Sequence, residues 1–307
     1  MLQVTIHEFA YQDNSILKGI NFVLNEGEQL AIIGESGCGK STLLKLIYGL
    51  YDCDNGVLSW KSELILGPKF HLIPGMPYMK YLAQDFDLMP YITVGENVGK
   101  FLSNFYPEAK QQRIDELLEL VDMFEYKHTK AKLLSGGQMQ RVALAKVLAQ
   151  EPEVLLLDEP FSHIDNFRKN ALRRKIFAYL KNKRITTLVA THDSNDVLSF
   201  SDQVVVLKEG KIVAYTNPKE LFQNPKNKYV ASLFGDVNEI SIDGTIHLVY
   251  PHQLQVVSNS GLSVIIKNFF YKGSHYLYEC SHKDSVIYFE DEKEHQIGSE
   301  LYLEIKK

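Results

Sequence analysis

An apolar run, Leu30-Ala31-Ile32-Ile33, stops at a glycine, and a helix-favouring run begins at Lys40; between them stands Gly34-Glu35-Ser36-Gly37-Cys38-Gly39-Lys40-Ser41-Thr42. This is the pattern G-x-x-x-x-G-K-S in the strand–loop–helix setting that it requires, and few folds supply that setting. Its glycines let backbone N–H groups turn inward around phosphate oxygens, and the dipole of the following helix favours an anion there. Lys40 can reach β and γ phosphates and the Ser41 hydroxyl can ligate Mg²⁺. Gly34, Ser36, Gly37, Cys38, Gly39, Lys40, Ser41 and Thr42 are therefore candidate ligands of a nucleotide's phosphates. Cys38 stands at a variable position of the pattern and is read as a loop residue, without a redox role.

The alternation of strand and helix returns further on. Val154 to Asp158 reads as a buried strand, Phe167 to Lys183 as a charged helix and Ile185 to Thr191 as another strand, which together predict a parallel α/β core. Pro107 opens a helix whose Ile114, Leu117, Leu118, Val121 and Phe124 recur at helical spacing. A second helix runs from Gln138 to Ala149, so residues 86–150 read as a helical insertion. Gln203 to Leu207, Glu209-Gly210 and Lys211 to Tyr215 read as a hairpin that closes this domain. After Gly235 the pattern changes to short β-rich runs at 246–250, 262–266, 276–280, 286–289 and 301–305, which suggest a small barrel. The expected boundary is thus 1–235 against 236–307.

The strand 154–158 ends in two carboxylates at the end of an α/β sheet where chemistry is presented. Asp158 is placed to hold the Mg²⁺ shell. Glu159 is a candidate general base that polarises an attacking water near the γ-phosphate. A strand ending in a solvated acidic turn is the bland alternative, and the upstream phosphate loop argues against it.

Leu134-Ser135-Gly136-Gly137-Gln138, followed by Met139-Gln140-Arg141, resembles the signature motif of ABC ATPases. The resemblance extends in order over nearly all of residues 1–235. It includes an aromatic, Tyr11, ahead of the phosphate loop; Gln84 in Leu82-Ala83-Gln84-Asp85 as the Q-loop; Ser162-His163-Ile164-Asp165 as the D-loop; and Thr191-His192-Asp193 as the switch histidine. It implies a P-loop NTPase, with a RecA-like core and a helical subdomain, that hydrolyses ATP with Mg²⁺. Residue by residue it implies that Tyr11 stacks on adenine, that Gln84 contacts Mg²⁺ and reports to a membrane partner, and that His192 contacts the γ-phosphate. Ser135, Gly136, Gly137 and Gln138, with Asp165 of the D-loop, would close over the ATP held by a second copy, since a helix start can bind phosphate. The catalytic set implied is Glu159, His192, Lys40 and Gln84, and the metal set Ser41, Gln84 and Asp158. Two positions depart from the family: His163 where a small residue is usual, and Ile164 where leucine is usual.

Residues 236–307 look like a short form of the OB-like β-barrel carried by importer ATPases for ferric ion, sulfate, polyamines and maltose. Those proteins often carry Arg-Pro-Glu early in that domain, whereas this chain reads Tyr250-Pro251-His252. A regulatory role is expected for it. The leading expectation is an importer ATPase for an inorganic ion or small polar solute, working as a homodimer with two transmembrane permease subunits and an extracytoplasmic solute-binding protein. An exporter ATPase is the second reading, and a soluble ABC ATPase acting on nucleic acid the third.

Composition bears on these choices at three points. No stretch approaches the roughly 18 apolar residues that cross a bilayer, so the chain is expected in the cytoplasm, held to the inner face of the membrane by its partners. Cys38, Cys53 and Cys280 lack metal-ligand spacing and read as free thiols. Of the net charge of −5, residues 236–307 hold 11 Asp and Glu against 6 Lys and Arg. The remainder is neutral, so no nucleic-acid partner is expected.

Overall fold

The computed structural model describes every residue except Asp243, Asn259 and Lys307, and gives Asn166 and Arg168 by their backbone alone. It divides the chain into two compact units, Met1–Pro218 and Lys219–Lys307.

In the first unit β1 (Leu2–Tyr11) buries Leu2, Val4 and Ile6 between more exposed neighbours, the period of a strand with one dry face. β2 (Asn14–Leu24) returns antiparallel with Leu24 opposite Leu2. β3 (Gln29–Ile33) is buried at every position, as a strand covered on both faces must be. It leads through the glycine-rich loop into α1 (Lys40–Ile47). β4 (Gly56–Trp60) and β5 (Glu63–Leu64) complete a four-stranded layer in the order β2-β1-β4-β5.

β6 (Met79–Leu82) then starts a second region, followed by α2 (Val94–Val98), α3 (Pro107–Leu120) and α4 (Gly136–Leu148). β7 (Val154–Asp158), α5 (Asn166–Asn182), β8 (Thr186–Thr191), α6 (Ser194–Phe200), β9 (Gln203–Lys208) and β10 (Lys211–Thr216) complete the unit. The six-stranded sheet has the order β10-β9-β3-β8-β7-β6. Its strands are parallel except for the β9–β10 hairpin, whose turn takes Glu209 and Gly210 to positive φ. That turn matches the right-handed twist of its strands. Alternation along β7 sends Val154 and Leu156 into a core shared with β1, β2 and α1. Leu155 and Leu157 enter a second core with α3, α4 and α5.

Ile33 pairs with Thr191 and Asp158 with Ala190. The C-terminal ends of β3, β7 and β8 therefore open on one edge of the sheet, where α/β folds place ligands. One expectation is corrected here. Phe124 does not continue the buried face of α3: the helix ends at Leu120, Asp122 takes φ 54, and Phe124 lies 45% exposed in a 3₁₀ turn.

α7 (Pro218–Gln223) starts on the last residue of the first unit and runs on into the second, where it and α8 (Lys228–Ser232) precede a hairpin of β11 (Asn238–Ile242) and β12 (Thr245–Val249). β13 (Leu254–Val257), β14 (Leu262–Tyr271), β15 (Tyr276–His282), β16 (Ser285–Asp291) and β17 (Glu300–Ile305) form an antiparallel sheet in the order β13-β17-β14-β15-β16. Ile240, Val249, Ile266, Tyr278 and Phe289 share its core. The division at Pro218 falls ahead of the expected 235/236 boundary because α7 and α8 pack on this β unit. Phe222 stacks on Tyr250 at 4.6 Å and the Tyr250 hydroxyl donates to Ala231 O at 3.3 Å.

Candidate functional site

The loop after β3 is shaped by backbone crowding. A Cβ on Gly34 would stand 2.2 Å from Leu207 O, and Gly39 ends the loop at φ +106, so neither position admits a side chain without displacement. Lys40 is 7% exposed and folds back over the loop, Nζ donating to Gly34 O at 2.7 Å and Glu35 O at 2.9 Å. Its charge is thereby held where a phosphate oxygen can replace a carbonyl as partner. The Cys38 thiol is buried and pushed up by that burial, which suits a packed loop residue rather than a reactive one.

Ser41 and Asp158 are brought together: Ser41 Oγ donates to Asp158 Oδ1 at 3.0 Å. A third group is present that the sequence reading did not include, Tyr81 on β6, whose hydroxyl donates to Asp158 Oδ2 at 3.1 Å. Burial raises the Asp158 carboxyl, the Ser41 and Tyr81 bonds oppose that rise, and Glu159 beside it adds to it. A hydroxyl beside a buried carboxylate is a hard-oxygen donor pair of the sort Mg²⁺ takes from a protein, leaving its other positions to phosphate and water. The residues fit that ion. Gln84 lies exposed in the turn after β6, and among the described residues no hydrogen bond joins it to Ser41 or Asp158.

Glu159 follows with φ 51, a conformation non-glycine residues seldom hold. Its N–H donates to Ala190 O, and its carbonyl accepts from Gln140 Nε2 at 2.9 Å. Its carboxylate Oε2 lies 2.9 Å from His192 Nδ1. Tyr11 is brought to the loop's edge, with its hydroxyl 3.4 Å from Thr42 Oγ1 and its ring edge-on to Tyr51 at 5.1 Å.

Ser135 caps α4 in a capping box with Gln138, whose side chain accepts from the Ser135 N–H. Beside it opens a cavity of about 370 Å³ lined by Ser135, Gly136, Gly137, Gln138, Arg141 and Asp165 among others. No residue of the phosphate loop lines it, so the loop and the cavity are separate places on one chain. Gln140, which the sequence reading assigned no role, joins them. Besides the Glu159 carbonyl it binds Ser162 Oγ at 3.3 Å, and its Oε1 accepts from His163 N at 3.0 Å. The imidazole of His163, the unusual D-loop residue, stands edge-on to Phe86 at 5.3 Å and 3.0 Å from Ser162 Oγ.

Comparison with known proteins bears on the family and the fold. Residues 17–162 match the family described as ABC transporter. The spermidine/putrescine import ATP-binding protein PotA of Pasteurella multocida is 32% identical over 275 residues, covering 84% of this chain and 73% of that protein. The Fe(3+) ions import ATP-binding protein FbpC 1 of Rhodococcus jostii is 38% identical over 251 residues, covering 80% and 70%. The dimeric post-hydrolysis structure of the ATP-binding cassette MJ0796, bound to ADP and Pi, superposes with a TM-score of 0.64 at 26% identity over 71% of this chain and 99% of that one. The structure of cbiO1 from Clostridium perfringens, described as part of the ABC transporter complex cbiONQ, gives a TM-score of 0.62 at 31% identity over 73% of this chain and 90% of that one.

Proposed function

This chain belongs to the ABC transporter ATP-binding family, it binds and hydrolyses ATP with Mg²⁺, and on that basis we propose that it powers import as a pair of copies, each completing the other's site. The observation that carries this reading is the separation of the phosphate loop from the Ser135 cavity within one chain. ATP held by Lys40 and the loop of one copy is covered by Ser135, Gly136, Gly137, Gln138 and Asp165 of the other. Tyr11 stacks on the adenine. Ser41 and Asp158 would hold Mg²⁺, with Gln84 as a further candidate ligand, and the ion would supply positive charge against the phosphates. Glu159 orients a water and takes its proton as the water oxygen attacks the γ-phosphorus, the bond to the β–γ bridging oxygen breaks, and ADP leaves. His192, beside Glu159, contacts the γ-phosphate.

The permease partners are assigned to an apolar groove of about 410 Å³ on the same unit, lined by Tyr48, Ile73, Pro74, Tyr81, Phe86 and Phe101 among others. Ile73 of this lining, and Phe70 and Leu72 shortly before it in the chain, are 80%, 67% and 104% exposed, apolar surface that invites a partner. No helix among the described residues is long and apolar enough to cross a membrane, so the transmembrane path is given to those permeases. A solute-binding protein outside the membrane would deliver the cargo, and this chain would lie on the inner face. None of the site residues named above belongs to the second unit, which is proposed to regulate the first.

The named relatives serve ferric ion and polyamines, and uptake distinguishes the two. In cells whose copy carries Glu159→Gln, uptake of labelled ferric iron or of labelled spermidine should fall to background. If both solutes still enter normally, import of these solutes by this chain is wrong.

A further inference from the structure

Arg173 on α5, 2% exposed, is the most deeply buried cation among the described residues and has no part in the chemistry above. Its guanidinium donates to Asp193, and its Nε lies 2.6 Å from Asp196 Oδ1, an ion-pair contact outside hydrogen-bond angles. It also lies over the Phe161 ring, 5.5 Å from its centroid. Lys169, one turn earlier on α5, reaches Asp193 at 3.1 Å. Thr191 Oγ1 donates to Asp196 Oδ2 at 2.7 Å and accepts from the Asp193 N–H at 3.0 Å. Both chain neighbours of His192 are thus tied into one buried network, and the network's cations come from the helix that begins immediately after Asp165.

Packing alone does not call for such an arrangement. Apolar side chains of similar volume join a helix to a sheet at no desolvation cost, and a buried charge cluster is often no more stable than they are. What ions offer is a fixed, directional geometry, since an arginine fork admits few positions for its carboxylate partners. Here that geometry is applied to the residues on either side of His192, whose Nδ1 meets Glu159 Oε2 at 2.9 Å.

We propose that Arg173 is a positioning residue for hydrolysis. It fastens the loop carrying His192 to the helix that follows Asp165 and so keeps the imidazole in place against the Glu159 carboxylate. The proposal rests on the roles given to His192 and Glu159 above. Because the network touches neither the phosphate loop nor Tyr11, losing Arg173 should slow turnover without weakening ATP binding.

The test uses the full chain carrying Arg173→Met, Arg173→Lys or Asp193→Asn, each alone and combined with His192→Ala. Single-turnover ATP hydrolysis, ATP affinity and the thermal unfolding midpoint are measured on each. Arg173→Met should lower the hydrolysis rate by on the order of tenfold to a hundredfold, the scale of a misplaced catalytic group, with ATP affinity unchanged. Arg173→Lys should recover part of that rate by keeping the charge without the fork. On the His192→Ala background, Arg173→Met should cost nothing further, because its effect passes through the imidazole. A lower unfolding midpoint with an unchanged rate, or a loss that adds in full to that of His192→Ala, makes Arg173 structural and overturns the proposal. If Arg173→Met does not fold, Arg173→Lys and Asp193→Asn carry the same cycle, asparagine keeping the N-cap that Asp193 supplies to α6. A His192→Ala protein that hydrolyses ATP at the normal rate would instead overturn the reading of His192, so the two failures are distinct.

Discussion

Asp158 and Glu159 are chain neighbours on which the site makes opposite demands. Asp158 is 3% exposed and bonded by two hydroxyls, so it is held still to meet a cation. Glu159 has 20% of its side chain exposed and one oxygen on His192, which leaves it access to water. Glu159→Gln should bind ATP normally and lose roughly 10²–10⁴ in turnover, the range of a general base; steady-state hydrolysis beside an affinity titration checks this, and normal turnover would remove Glu159 from the chemistry. Asp158→Asn should behave differently. A carboxyl whose proton affinity is higher folded than unfolded stabilises the fold less as pH rises through its titration range. Burial sets that direction for Asp158, and a neutral amide removes the penalty. Without nucleotide, Asp158→Asn should melt at the same temperature as the parent or higher, while the stabilisation given by MgATP disappears. A lower melting point without nucleotide would show that the hydroxyl bonds outweigh the cost of burying the charge. Lys40, Ser41, Asp158 and Glu159 were legible in the sequence because the chemistry of each is written in its immediate neighbours. Tyr81 was not, since its partner lies 77 residues away and they meet only because β6 pairs with β7.

Elements long enough to show a period were legible as well. α3 and the buried strands β3, β7 and β8 carry their repeats for several residues, and the 203–215 hairpin carries its turn in Glu209-Gly210. α2 is different: at five residues it is too short for a hydrophobic period and could not persist alone in water. Two local devices hold it. Thr93 and Glu96 form a capping box, and the fully buried Asn97 binds Met89 N at 2.8 Å and the carbonyls of Met89 and Thr93 at 3.0 Å each. Thr93-x-x-Glu96 is visible in the sequence as a helix start, whereas the role of Asn97 depends on a loop that folds back onto it. Asn97→Ala should therefore destabilise the protein by roughly 1–3 kcal/mol, the cost of leaving buried polar groups without a partner. Urea unfolding measures it, and a change indistinguishable from zero would mean that water replaces the amide. In the second unit β11 and β13 escaped the sequence reading for a related reason. Each is four or five residues long, and they become strands by pairing with β12 and β17.

At the scale of the whole molecule, the phosphate loop does not line the Ser135 cavity of its own chain, and the function proposed above makes the two half-sites. Gln140 touches the Glu159 carbonyl and the His163 N–H, so each half-site is positioned by the other's neighbourhood even though nucleotide would meet them on different copies. Under that proposal a pair of copies related by a two-fold axis would complete both sites at once. Mixing two defective proteins tests this arrangement. Lys40→Ala removes the charge that holds the phosphates. Ser135→Asn fills the cavity while keeping a side chain that caps α4 well. Each protein alone should hydrolyse ATP poorly, because every site in its dimers contains a lesion. A mixed dimer carries both lesions in one site and none in the other. At equal proportions half of the dimers are mixed and half of their sites are intact, so if the two sites act independently the mixture should regain roughly a quarter of the parent activity. Tags of different size on the two proteins, followed by co-purification in MgATP, establish that mixed dimers have formed. Sites contained within single chains would leave every site in the mixture with one lesion, and activity would then stay at the level of the separate proteins at all proportions. Mixed dimers that form and still fail to exceed either parent variant would count against shared sites.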